Sequence, residues 1–395
     1  MTPARPLGAF GAVWFTYFAA IGLFNTYAPL WFKSLGLSLL VIGGIASLQS
    51  WTRVLAPYGW SWLADRNGQR IRTLRWASAL ALVAALALAL AGPLGTALIV
   101  ACVVLLFVAN GAVVPLSEAS LAHHLHTERG LDTARYGRVR VWGSLGFIVA
   151  VAAGGFVLQG TGVAAFPWFV VATFAALLWM ALRLPASHDT VRPHARSEVG
   201  ALQVLRRPAV AWFFASVFFT VLAHTSLYAF FSLYLDVLGQ AKSAIGLMWG
   251  VAVGVEIVFF WFQGRWFERL TLHGWLVAAA GVAMLRFAGV ALFGNSLGLL
   301  ALTQLTHAVT FAAHHAACIA LIHRHFPGAL RARGQALYST LGYGLSGVVG
   351  GLAGGVLSEH LGFAAVFWAG SAMAAVGAMC ALRAAHHERA AAPAP

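Results

Sequence analysis

The sequence predicts an all-α membrane protein of twelve transmembrane helices in two six-helix pseudo-repeats. The first observation behind this is composition: 61% of the residues are hydrophobic and 9% charged, with a mean hydropathy of +0.81. That leaves too little polar surface for a soluble globule. The second is the apolar runs, each near the roughly 20 residues that carry a helix across the bilayer core, without the alternation of barrel strands. The third is the placement of base. Of 25 Lys and Arg, all but four lie at the amino terminus or in alternate loops; Lys33 and Lys242 lie in the opposite loops, and Arg53 and Arg286 inside spans. By the positive-inside rule both termini are cytoplasmic and the number of spans is even. The net charge of +14 is thus an orientation signal with some affinity for anionic lipid, and implies no nucleic acid partner.

Spans are expected over residues 10–32, 39–60, 74–92, 96–118, 139–160, 164–184, 209–235, 244–264, 275–293, 297–322, 335–357 and 362–383. Basic loops divide them in order: Arg66 to Arg75 after the second, Arg129 to Arg140 after the fourth and Arg183 to Arg207 after the sixth. Arg265 to Arg269 follows the eighth, Arg324 to Arg333 the tenth, and a short cytoplasmic tail begins at Arg383. The first span follows Arg5 as a signal peptide would, but its apolar run continues to Phe32 with no small-residue cleavage site, so it reads as uncleaved. Residues 185–208 are polar, Arg-rich and contain three prolines; they read as a cytoplasmic linker between halves 1–184 and 209–395.

An internal repeat supports the two halves. After the second span the chain reads Ser61-Trp62-Leu63-Ala64-Asp65-Arg66-Asn67-Gly68-Gln69-Arg70, and after the eighth Gly264-Arg265-Trp266-Phe267-Glu268-Arg269. Ser144-Leu145-Gly146-Phe147 with Gly154 and Gly155 is echoed by Thr340-Leu341-Gly342-Tyr343 with Gly354 and Gly355. Parallel six-helix repeats are a transporter architecture, with a substrate site expected near the midplane.

Intramembrane charges cost about 2.5 to 3.5 kcal/mol on insertion scales unless paired or facing a cavity, so each is a site hypothesis. Glu118 and Arg140 form one such pair, either lining a pathway or fixing helix packing. Glu256 and Arg286 lie on neighbouring antiparallel spans at similar depth and can meet. On the tenth span His307, Thr310 and His314 share a helical face while His315 points away. On the seventh, His224, Tyr228 and Phe231 form a face suited to an aromatic ring, or to helix packing alone. Asn25, Tyr27 and Pro29 on the first span, with Gln49 and Arg53 on the second, could complete a pocket.

Other chemistry is not indicated. Cys102, Cys318 and Cys380 lack disulfide or metal spacing, and no metal or cofactor is implied. The run Gly342-Tyr343-Gly344-Leu345-Ser346-Gly347 has dinucleotide spacing but lies in an apolar helix with no preceding strand; with Gly351 and Gly355 it reads as close helix packing. There is no nucleophile elbow, Walker loop or zinc cluster, so the chain is not read as an enzyme.

The turn at Asp65, Arg66, Gly68 and Arg70 resembles the loop signature of the major facilitator superfamily, with Ser61 where a glycine is usual. Resemblance then narrows. Arg53-Val54-Leu55-Ala56-Pro57, the Tyr136 to Phe147 run, His224 to Phe231 and Gln304 to Phe311 are similar to the 3-phenylpropionate transporter branch, related to lactose permease-type proton symporters. The resemblance implies that Pro115, Glu118 and Arg140 match the permease's substrate-holding Pro-x-x-Glu and Arg, and that Arg286 and His307 match its buried arginine and histidine. Thr310 stands where the permease carries its proton on glutamate, and Glu256 is the substitute. It also implies a latch at Asp65, Arg66, Gly68 and Arg70, echoed by Glu268 and Arg269, against the simpler reading of solvated turns that set topology.

The expected function is proton-coupled symport of a small organic anion, such as 3-phenylpropionate, across the inner membrane by alternating access, as a monomer. Glu118, Arg140, Arg286, His307, His224, Tyr228 and Asn25 would bind substrate; Glu256, Arg286 and His307 would couple the proton. The rivals are symport of a neutral sugar or nucleoside, drug efflux by antiport and, outside transport, a membrane-embedded sensor.

Overall fold

The structure is a computed structural model describing residues 5–127, 130–185 and 200–391. Residues 186–199, most of the expected linker, lie outside the described residues. Among the described residues twelve helices are long and apolar enough to cross a membrane: α1 (Leu7–Ser34), α2 (Leu39–Asn67), α3 (Arg70–Ala91), α4 (Thr96–Leu125), α5 (Arg135–Thr161), α6 (Val163–Leu182), α7 (Pro208–Val237), α8 (Lys242–Phe267), α9 (Leu272–Leu292), α10 (Leu297–His325), α11 (Arg331–Leu361) and α12 (Phe363–Ala391). Each coincides with an expected span.

Several helices run beyond the apolar stretch, because polar residues continue a helix once it leaves hydrocarbon. Thus α4 passes Glu118 to reach Leu125. The helix containing α5 is capped by Asp132, whose carboxylate accepts the Arg135 N–H at 3.0 Å, satisfying one of the donors a helix start leaves unpaired. Tyr136 and Arg140 are therefore both helical. A short antiparallel hairpin, β1 (His126–Thr127) with β2 (Gly130–Leu131), joins α4 to α5 with His126 opposite Leu131. The α2–α3 turn is made by Gly68 at φ +60°, a left-handed conformation that favours glycine.

The chain forms two compact units. One holds α1, α3 to α6, α2 from Trp51 onward and the first turns of α8 to Gly250. In it Gly146 of α5 lies against the Phe15 carbonyl of α1, and Tyr27 Oη donates to the Val151 carbonyl at 2.5 Å. The start of α8 is held by Gln159, whose Oε1 accepts the Lys242 N–H at 2.8 Å. The other unit holds α7, α9 to α12, the rest of α8 and residues 38–50. Here Ser216 Oγ donates to the Gly377 carbonyl at 2.9 Å, tying α7 to α12. Gly351 and Gly355 meet the backbone of α2 at Gly43 and Leu40, and Ser47 Oγ donates to the Val348 carbonyl at 2.9 Å. The glycine stripe of α11 thus admits a helix, the small-residue logic of membrane interfaces.

Two helices of the second unit are irregular. Residues Ala308–Ala313 of α10 and Tyr338–Leu345 of α11 are π-helical. An i→i+5 turn takes one residue more than an α-turn, so it shifts every later side chain by about one position around the axis, and such turns gather at functional sites.

Candidate functional site

Arg286 lies about two thirds of the way along α9, about 21 Å from Leu272 at 1.5 Å per residue, and is 2% exposed. Its Nη1 donates to His307 Nδ1 at 2.6 Å and to Thr310 Oγ1 at 3.0 Å, and its Nη2 donates to Gln304 Oε1 at 2.8 Å. The far nitrogen of His307, Nε2, is 2.8 Å from Glu256 Oε1 on α8. Glu256 and Arg286, expected to meet, are thus joined through His307. A guanidinium can only donate, so His307 Nδ1 must hold a lone pair. The imidazole is then neutral, with its proton on Nε2 directed at Glu256. The buried arginine and carboxylate balance each other across it, which offsets much of the cost of placing either there.

His224 and Tyr228 of α7 flank this chain. The His224 ring lies 6.3 Å from that of His307 and edge-on to Phe287 at 5.2 Å; Tyr228 is 6.5 Å from His307. His224 Nδ1 contacts the Thr220 carbonyl at 2.8 Å; a carbonyl only accepts, so Nδ1 carries the proton and Nε2 is an acceptor. That Nε2 and the Nε of Arg286 are buried without hydrogen-bond partners. A ligand group that donates to the first or accepts from the second would satisfy them. Phe231, expected on the same face, packs on Phe367 of α12, with ring centroids 6.3 Å apart.

The π-turn corrects another expectation. His315 does not point away from His307: rings of His307, Phe311 and His315 stack in a column, with centroids 5.4 and 6.1 Å apart and planes within 12°. His314 turns instead to Cys318, whose sulfur is 3.7 Å from its Nε2. The extra residue in the turn moves 315 onto the face that 314 would hold on a straight helix.

In the first unit Arg140 Nη1 donates to Glu118 Oε1, which also accepts from Tyr136 Oη at 3.1 Å. The guanidinium lies 4.4 Å over the Trp14 ring of α1, a cation–π contact. The Glu118 and Arg140 side chains are 36% and 40% exposed, so this pair is far more accessible than the Arg286 cluster. Tyr17 lies beside Asn110 and within electrostatic range of both charges. Asn25 is half-buried on α1, about 16 Å further along than Trp14, while Tyr27 is taken up by the Val151 carbonyl. Trp14, Tyr17, Asn110 and Gln304 were not expected as site residues.

At the α2–α3 turn Arg70 Nη2 is 3.2 Å from Asp65 Oδ1, and Arg66 lies 5.5 Å over Trp62. Glu268 and Arg269 are exposed beyond the end of α8. Among the described residues no group of three or more His, Cys, Asp or Glu is placed to hold a metal.

The model of the MFS_1 like family matches residues 9–369. The chain is 28% identical over 368 residues to the "Probable 3-phenylpropionic acid transporter" of Escherichia coli (strain K12), covering 90% of this chain and 92% of that protein. It is 30% identical over 390 residues to the "Maltose permease" of Geobacillus stearothermophilus, covering 95% and 93%. Among solved structures it is similar in fold to the nucleoside transporter NupG, with TM-score 0.79, 16% identity and coverage of 96% of this chain and 99% of that one. It is also similar in fold to a POT family transporter in complex with a thioalcohol conjugated peptide, with TM-score 0.76, 12% identity and coverage of 96% and 95%. The chain belongs to the MFS_1 like family and is a multi-pass membrane transporter of the MFS type, not an enzyme.

Proposed function

We propose that the protein is a proton-coupled symporter of a small organic anion, with 3-phenylpropionate the first substrate to test. It works by alternating access as a monomer in the inner membrane, both termini in the cytoplasm. The observation that carries this is the buried chain Glu256–His307–Arg286. With Glu256 ionised, the chain is neutral overall. When Glu256 takes up a proton, Arg286 is left as an uncompensated buried charge, which is strongly unfavourable. A substrate carboxylate restores the balance, and the spare Nε–H of Arg286 gives it a charge-assisted hydrogen bond. Proton and anion then bind together and leave together. The rings of Tyr228, His224 and Phe287 offer an apolar seat for the rest of the substrate, and the 28% identical relative named for 3-phenylpropionic acid supports that choice.

The test is uptake of labelled 3-phenylpropionate into proteoliposomes with and without an inward proton gradient, subtracting entry into protein-free liposomes. Accumulation above equilibrium that collapses with a protonophore is expected. Its absence in preparations that bind the compound would sink the coupling.

A second reading, symport of a neutral sugar, is favoured by the relative named maltose permease and by the Glu118–Arg140 pair, which is already neutral and, being part-exposed, could hydrogen-bond hydroxyls. Labelled maltose in the same assay distinguishes the two.

A further inference from the structure

Beyond the Glu256 chain lies a second buried polar group that the proposed mechanism does not use. Tyr338 Oη is 2.9 Å from His315 Nδ1 and 3.2 Å from Tyr343 Oη. Tyr338 and Tyr343 are five residues apart; on an α-helix they would point about 140° apart at 100° per residue, and only the i→i+5 turn of Tyr338–Leu345 lets their hydroxyls meet. The π-turn of α10 likewise brings His315 onto the His307 column. Two separate backbone irregularities thus converge to build one hydroxyl–hydroxyl–imidazole chain. Its middle member, Tyr338, is 4% exposed, whereas Tyr343 and His315 are half-buried. The other titratable groups facing it are Cys318 and His314 on α10, with Glu256 of α8 within electrostatic range of Tyr343.

We infer that Tyr343, Tyr338 and His315 are a proton relay serving Glu256, which deepens the proposed function and rests on its proton coupling. His315 stands about 12 Å beyond His307 along α10, toward the end that the arginine distribution assigns to the cytoplasm. A proton leaving Glu256 reaches the Tyr343 oxygen through water. Tyr343 passes its own hydroxyl proton to Tyr338, Tyr338 passes its proton to His315 Nδ1, and the resulting imidazolium gives up its Nε2 proton to water. One proton enters and one leaves, and both phenols end neutral. Rotation of the two hydroxyls and return of the imidazole tautomer reset the chain.

The experiment compares Tyr338→Phe, Tyr343→Phe and His315→Gln with the parent protein in proteoliposomes. Each is measured for gradient-driven accumulation and for exchange of labelled against unlabelled substrate at equal pH, with 3-phenylpropionate and maltose as probes. Each phenylalanine removes one oxygen and keeps the ring in place. A relay predicts accumulation rates roughly a hundredfold or more lower, in the range of general acid–base contributions, with exchange within about twofold of the parent, because exchange needs no net proton movement. Accumulation at the parent rate in both phenylalanine variants overturns the relay alone. Equal loss of accumulation and exchange assigns the chain to helix packing and also overturns it. If the parent accumulates neither probe under a proton gradient, the coupling fails first and the relay with it.

Discussion

Arg286 Nη1 and His307 Nδ1 are 2.6 Å apart, and this bond decides which member of the buried cluster can carry a proton. While it lasts, Nδ1 is occupied as an acceptor, so His307 cannot become an imidazolium. Arg286 stays charged. Glu256 is left as the titrating member. Glu256→Gln is therefore expected to abolish gradient-driven accumulation while keeping exchange of labelled for unlabelled substrate. Full proton-driven accumulation in the variant would remove Glu256 from the role.

The same geometry predicts an energetic coupling. Arg286→Ala leaves Glu256 buried opposite a neutral His307, at a cost of about 3 to 5 kcal/mol for an unbalanced charge. Adding Glu256→Gln removes that charge, so the double variant should be more stable than Arg286→Ala alone. Unfolding of the four proteins in detergent, read as a double-mutant cycle, checks this. Additive losses would show that the two residues do not share a charge balance.

How much of this was legible in the sequence follows from what made each residue conspicuous. Glu118, Arg140, Glu256 and Arg286 stood out because a charge in an apolar run needs a reason, and the structure pairs the first two directly and links the other two through His307. Gln304, Trp14, Tyr17 and Asn110 carry no such flag, since an uncharged polar or aromatic residue in a membrane helix is ordinary. His315 lies on a face that a regular helix would not give it. Regular periodicity cannot foresee a turn of five.

The Glu118–Arg140 pair is expected to affect substrate more than stability. Both side chains are over a third exposed, and such pairs contribute about 0 to 1 kcal/mol. Arg140→Lys keeps the charge but loses the planar guanidinium over Trp14. The half-saturating substrate concentration should rise about tenfold, equivalent to about 1.4 kcal/mol, with unfolding nearly unchanged. A large loss of stability with unaltered substrate affinity would make the pair a packing element.

At the α2–α3 turn, Asp65 and Arg70 are 3.2 Å apart and partly exposed. If the pair latches one conformation, Asp65→Asn should lower the transport rate severalfold while leaving stability within about 1 kcal/mol of the parent. Gly68→Ala is the control for the turn itself: its φ of +60° imposes about 1 to 2 kcal/mol on any side chain. Parent-like transport in Asp65→Asn would return the turn to a topological role.

Close approach of α1 and α5 can be tested with two glycines of one helix. A Cβ on Gly146 would run into the Phe15 carbonyl, whereas one on Gly160 would meet nothing within 4 Å. Backbone cannot retreat as a side-chain end can, so Gly146→Ala must part the helices, at a cost of about 1 to 3 kcal/mol. Gly160→Ala only exchanges glycine for a better helix former, worth up to about 1 kcal/mol in the opposite direction. Thermal unfolding in detergent should therefore move in opposite senses for the same chemical change. Equal shifts would show that α1 and α5 are not held at the separation described.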